Sequence, residues 1–127
     1  MVRSFEDLDA FKRAYRISLE VHRSSLEWPG EERYGLADQA RRSSKSICAN
    51  LAEGWAKQAH SARDFNRFIY MAIGSCEEMR VWSRYCFDLG YIEEAVWRRW
   101  RDEYQEIAKM LQGLSRRVVA GGDRSDA

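Results

Sequence analysis

Few residues in this chain have both the type and the spacing to do chemistry. The histidines are His22 and His60, and the cysteines are Cys48, Cys76 and Cys86, with no CxxC pair among them. His22 falls on an apolar helical stripe, which reads as a packed core histidine rather than a catalytic base. No ExxH pair is present, so the di-iron carboxylate site that many four-helix bundles hold cannot be assembled. No Cys/His group has zinc spacing. Gly121-Gly122 lies in a C-terminal polar stretch and not in a phosphate-cradling loop. The expectation is therefore no catalytic residue, no metal, no cofactor and no enzymatic activity. Glu53 and Glu78 could meet across two helices, where with Arg42 nearby they would form a structural ion-pair network sooner than an acid–base pair.

Two basic groups are candidates for a nucleic-acid or subunit interface. One is Arg41, Arg42 and Lys45, expected to point outward from a helix. The other is Arg98, Arg99 and Arg101, interleaved with Trp97 and Trp100 and followed by Asp102, Glu103 and Glu106. Arginine beside tryptophan is the composition of nucleic-acid grooves and of protein interfaces alike, and a solvated face with snorkelling arginines is the third reading. The net charge is +1, from 21 Lys+Arg against 20 Asp+Glu, so bulk electrostatics exerts no strong pull on a polyanion. Nucleic-acid binding would need a local patch, or one assembled by several subunits.

The elements that position these residues are helical. In 127 residues there is room for one core, and a single proline, Pro29, leaves long stretches uninterrupted. Segment one runs from about Ser4 to Glu27, with Ser4 and Asp7 at capping-box spacing. Leu8, Phe11, Tyr15, Leu19, His22 and Leu26 form one stripe, beside a second stripe of Ala10, Ala14, Ile17 and Val21, and a face that wide predicts burial against more than one neighbour. WPGEER breaks the chain, and segment two continues to about Lys57. Ser61 and Asp64 cap segment three, whose heptad seam is Phe65, Phe68, Ala72, Ser75, Met79, Trp82, Cys86 and Leu89, with Gly90 as a C-terminal cap. Segment four runs from about Ile92 to Val118 on Val96, Trp100, Tyr104, Ile107, Leu111 and Leu114. Short turns between long helices predict an all-α, up-down-up-down antiparallel four-helix bundle over residues 1–119, with a disordered polar tail over 120–127. No run approaches the roughly 18 apolar residues of a membrane span. The acidic, amphipathic start MVRSFEDLD resembles no export signal, so a cytoplasmic protein with free, packed thiols is expected.

Segment two carries small residues where a packed helix usually shows leucine. In RRSSKSICANLAEG and the turns before it, Leu36, Ala40, Ser43, Ile47, Asn50 and Gly54 step by four and three along one seam. Small side chains there would admit the backbone of segment three, with Phe65, Phe68, Met79 and Trp82 filling the space. Asn50 is expected as an amide within this seam, where its usual benefit is to fix register or oligomer state. Gln39, Ser46 and Glu53 line the row beside it, and Glu78 holds the matching flank of segment three. The polar edge Gln39, Asn50, Glu53 and Glu78 reads either as a solvated surface or as a subunit interface or ligand site.

These residues also carry a resemblance. EERYGLADQARRSSKSICANLAEGWAK resembles the signature region of the four helix bundle protein family, which includes proteins encoded within intervening sequences of bacterial 23S ribosomal RNA genes and accessory variability proteins of diversity-generating retroelements. The matching elements are Glu32, Tyr34-Gly35-Leu36, Gln39, Arg42, Ser46-Ile47, Asn50 and Ala52-Glu53-Gly54. A second block, FIYMAIGSCEEMRVWSRYCFDLGYI, is similar to the family's third helix at Ala72, Gly74-Ser75, Glu78 and Leu89-Gly90-Tyr91. The resemblance implies a homo-oligomer, with a barrel-shaped pentamer as the family's assembly, and RNA or a reverse transcriptase as partners in the retroelement members. The expected function is thus a non-enzymatic oligomeric scaffold that handles RNA or a nucleic-acid-handling partner. The alternative is an oligomer whose apolar pocket or central channel binds a small molecule, motivated by five tryptophans and the wide apolar face of segment one.

Overall fold

The computed structural model describes the backbone of residues 1–126 and the side chains of residues 1–121. It holds four α-helices: α1 (Asp9–Ser25), α2 (Leu36–Lys57), α3 (Ala62–Asp88) and α4 (Glu94–Asp126). Single 3₁₀ turns occupy Phe5–Asp7 and Gly30–Glu32, and no strand occurs among the described residues. Cross-helix contacts fix the directions. His22 meets Lys45 and Ser25 meets Arg41, Ser46 meets Ser75 while Ser43 meets Glu78, and Asn66 meets Ser115 while Phe87 meets Trp97. In each pair the later residue of one helix faces the earlier residue of the next, so neighbours run antiparallel. The helix α1 packs on α2 and α4, and its backbone makes no close approach to α3, which lies diagonally across the bundle.

Local chemistry sets the helix ends. Ser4 and Asp7 do form a capping box, but it closes the 3₁₀ turn, and α1 begins at Asp9 after an extended Leu8. The Ser61 hydroxyl accepts the Asp64 amide at 3.1 Å and starts α3. Gly90, at φ +80°, ends α3 in the left-handed conformation while the Tyr91 amide reaches back to the Cys86 carbonyl at 2.8 Å.

The core is largest where α2, α3 and α4 meet, around the fully buried Ile47, Leu51, Phe65, Met79, Trp100 and Tyr104. Burying each such side chain is worth about 1.5–3 kcal/mol, so these three helices carry most of the apolar stabilisation. The contribution of α1 is smaller because its buried stripe is Ala10, Ala14, Ile17 and Val21. The width of the two stripes together predicts burial of both, and only the second is buried. The stripe of Phe11, Tyr15, Leu19 and Leu26 faces outward or lies at the rim, with Tyr15 52% and Leu26 63% exposed, although Leu8 is buried. Both stripes share the helical period, and the one with small side chains is turned inward. His22 is accordingly half-buried at the α1–α2 edge rather than packed in the core. Its Nδ1 lies 2.9 Å from Lys45 Nζ, and burial, followed by the charge of Lys45, holds its pKa below the ordinary 6.5.

Two further expectations change. Leu89, placed on the α3 seam, is 53% exposed because the helix is already ending. The backbone of α4 continues to Asp126, so it runs on through most of the stretch expected as a disordered tail; the side chains beyond Gly121 and all of Ala127 lie outside the described residues. No helix among the described residues is long and apolar enough to cross a membrane.

Candidate functional site

The small-residue seam of α2 does face the core. Ala40, Ser43, Ile47 and Gly54 are all buried. The approach is closest at Gly54, where a Cβ would lie 2.8 Å from Phe68 Cβ and 2.9 Å from Phe65 Cδ1. Glycine is needed there for space, not for an unusual backbone angle. The result is a pair of helices held nearly backbone to backbone, with the polar edge of α2 pressed along the flank of α3.

Along that edge the hydroxyls and one carboxylate form a connected network. Ser43 donates to Glu78 Oε2 at 2.8 Å and accepts from Trp82 Nε1 at 3.1 Å. Ser46 and Ser75 share a hydrogen at 2.5 Å, and Asn50 Nδ2 donates to the Ser46 carbonyl at 2.8 Å. Asn50 is half-buried and bonded within its own helix, so it belongs to this edge and not to the core seam expected for it. Gln39 and Glu53 are exposed beside it. The four polar residues singled out from sequence, Gln39, Asn50, Glu53 and Glu78, therefore lie on one face spanning α2 and α3.

That face is also apolar in a way the sequence reading missed. Met71, Val81 and Tyr85 on α3 are each about half exposed (48%, 49% and 54%), and nothing stands above Gly74 between them. Val81 and Tyr85 also line a cleft with Arg84 and with Trp97 and Arg101 of α4, while Met71 stands ten residues earlier on α3. Exposed apolar side chains with a polar margin are the composition of interaction surfaces rather than of idle solvent-facing helix. Glu53 and Glu78 make no ion pair among the described residues, so two carboxylates stand uncompensated within it. The signal was present in the sequence as exposed positions of the α3 heptad, but attention to the buried seam hid it.

The six basic candidates are not brought together. Arg41 Nε donates to Ser25 Oγ at 2.7 Å and Lys45 contacts His22, so both tie α2 to α1. Arg42 points outward, but to its own helix's Asp38 at 3.1 Å and not to Glu53 or Glu78. On α4, Arg99 crosses to Glu20 on α1 at 2.5 Å. Trp100 is fully buried and donates to the same carboxylate, so it offers no stacking surface. Arg98 and Arg101 instead flank Trp97, at 5.6 and 5.0 Å from its ring centre, joined by Arg84 at 4.9 Å. Trp97 already stacks on Phe87 at 5.0 Å, and Arg84, Arg98 and Arg101 are paired with Asp88, Glu94 and Asp102.

A cleft of about 800 Å³ between α1 and α4 is walled by charged side chains, among them Arg13, Arg16, Glu20, Arg99 and Glu103. Ion pairs from Arg13 to Glu103 and from Arg99 to Glu20 cross it. The thiols offer no reactive group. Burial raises Cys48 to about 11 and Cys76 and Cys86 to about 12, leaving them protonated and inert at neutral pH.

A latch joins the two loops at one end of the bundle. The Tyr91 hydroxyl donates to Glu32 at 2.7 Å, and the other Glu32 oxygen accepts the Leu36 amide at 3.1 Å at the start of α2. The Tyr91 bond, then the amide bond, holds the Glu32 carboxyl below its ordinary value. Trp28 stacks on the Tyr91 ring at 6.2 Å. Sequence alone places these residues 59 positions apart and gives no reason to join them.

Comparison with curated proteins returns no match. The sequence profile of the 23S rRNA-intervening sequence protein family, by contrast, matches residues 6–113, which include all of α1, α2 and α3, the polar and apolar face they carry, and most of α4; the chain belongs to that family.

Proposed function

We propose that this protein is a non-enzymatic scaffold that self-associates through the face formed by α2 and α3. The observation that carries this reading is the conjunction of half-exposed Met71, Val81 and Tyr85 with the uncompensated Glu53 and Glu78. A lone folded chain gains nothing by presenting such a surface to water, whereas a subunit covers it on assembly. The pentamer that the family resemblance implies is the assembly this reading favours, in a cytoplasmic setting. Multi-angle light scattering at micromolar concentration tests it: a defined multiple of the chain mass supports it, and a monomer at every concentration contradicts it.

RNA enters this reading through the assembly and not through the single chain. Arg98 and Arg101 around Trp97 would be repeated in every subunit, turning a corner that is locally neutral into a periodic array of exchangeable guanidiniums. Exposed ion pairs of this kind are worth about 0–1 kcal/mol, so a phosphate can compete for them. If RNA is bound, its affinity falls steeply with salt and falls again with Arg98→Ala and Arg101→Ala; a salt-independent affinity contradicts phosphate contacts.

A further inference from the structure

We propose that the α2–α3 face of one copy receives the outer face of α1 from the next copy, a head-to-tail contact between two different surfaces. This rests on the self-association proposed above and names its two halves. The first helix supplies the second half. Tyr15 stands exposed on its outer side between half-buried Phe11 and Leu19 at the rim, with Phe11 stacked on Tyr15 at 6.0 Å. Lys12, Arg16 and Arg23 stand beside them and make no ion pair among the described residues. An apolar strip edged by cations outside any ion pair thus matches exposed apolar side chains edged by Glu53 and by Glu78, whose charge is met by no cation although it accepts the Ser43 hydroxyl.

The spacings also agree. Lys12 and Arg23 are separated by eleven residues of α1, roughly 16 Å at 1.5 Å per residue. On the other face, Ser43 meets Glu78 and Gly54 meets Phe68, so Glu53 sits about ten residues of α3 below Glu78, roughly 15 Å. One chain cannot satisfy both faces itself, because α1 and α3 are diagonal in the bundle and their backbones make no close approach. Two complementary surfaces at opposite corners of one subunit make a heterologous contact, which closes into a ring when the rotation per subunit allows it.

Charge reversal separates this proposal from self-association in general. Three full-length variants are compared with the wild type by light scattering, with circular dichroism verifying that each is folded: Lys12→Glu/Arg23→Glu, Glu53→Lys/Glu78→Lys, and the four changes together. The expected result is that each double variant loses at least tenfold in association affinity while the quadruple variant, whose charges are complementary again, recovers it. If Glu53→Lys/Glu78→Lys dissociates and Lys12→Glu/Arg23→Glu does not, the α2–α3 face pairs with a copy of itself and the head-to-tail contact is wrong. A quadruple variant as weak as the doubles, or doubles that both keep the wild-type mass, overturns it too, while leaving self-association intact. A monomeric wild type instead removes the reading on which the proposal rests.

Discussion

Replacing Gly54 with alanine sets two known effects against each other. Gly54 is inside α2, and alanine there is worth about 1 kcal/mol through helix propensity. The added methyl, however, would lie 2.8 Å from Phe68 Cβ, 2.9 Å from Phe65 Cδ1 and 3.3 Å from the Phe65 carbonyl oxygen. Carbon atoms pack at roughly 3.5–4.0 Å, so α2 and α3 must separate by a good part of an ångström. Phe68 Cβ is fixed to the backbone and cannot rotate away. Overpacking of this kind costs about 1–3 kcal/mol, and separation also loosens Ser43, Ser46 and Ser75. The net expectation is a loss of about 1 kcal/mol, or on the order of 4 °C in Tm for a domain of this size. Gly113→Ala in α4 is the control. Its nearest neighbours, the tips of Arg117 and Arg116, are 3.6 and 3.8 Å away, so the propensity gain should appear unopposed. Both are read by thermal and urea unfolding at one fixed protein concentration, since association makes Tm concentration-dependent. If Gly54→Ala stabilises as much as Gly113→Ala, the close approach of α2 and α3 is wrong.

Three other outcomes follow from named contacts. Because its folded-state pKa is depressed, Glu32 contributes stability above about pH 4.5 that fades as pH falls through the folded value; Tyr91→Phe should lower Tm at pH 7 and flatten that acid limb, and an unchanged limb would remove the latch. His22 is held neutral in the folded state while the unfolded chain takes up a proton below pH 6.5, so stability should rise with pH through the window just under 6.5. His22→Gln should lose that rise, and a variant with the wild-type slope would contradict the assignment. At pH 8 the three thiols should react slowly with a disulfide reagent and all at once on unfolding; a rapid native reaction of Cys76 or Cys86 would contradict their burial.

Much of the fold was legible in the chain because the signals are local. Pro29-Gly30, Ser61 with Asp64, and Gly90 each stop or start a helix by chemistry that acts within a few residues. The α2 seam was legible because Ala40, Ser43 and Gly54 are too small for a face that packs on a distant neighbour. What could not be read was the choice between two stripes of equal period on α1. The combined width of the stripes predicts burial of both, but only Ala10, Ala14 and Ile17 are turned inward, while Tyr15 is exposed and Phe11 and Leu19 lie at the rim. Proximity in sequence likewise grouped Arg98, Arg99 and Arg101, whereas successive helix positions are 100° apart, sending Arg99 to α1 and the other two to Trp97. The Glu32–Tyr91 latch depends on the ends of non-adjacent loops and leaves no local trace.

The face on α2 and α3 is tested most directly by the solution mass of the wild-type chain measured beside that of Glu53→Lys/Glu78→Lys. A wild type that is a defined oligomer, and a folded variant that falls to the monomer, is the expected pair of results. A wild type that remains a monomer, or a variant that keeps the full oligomer mass, would contradict it.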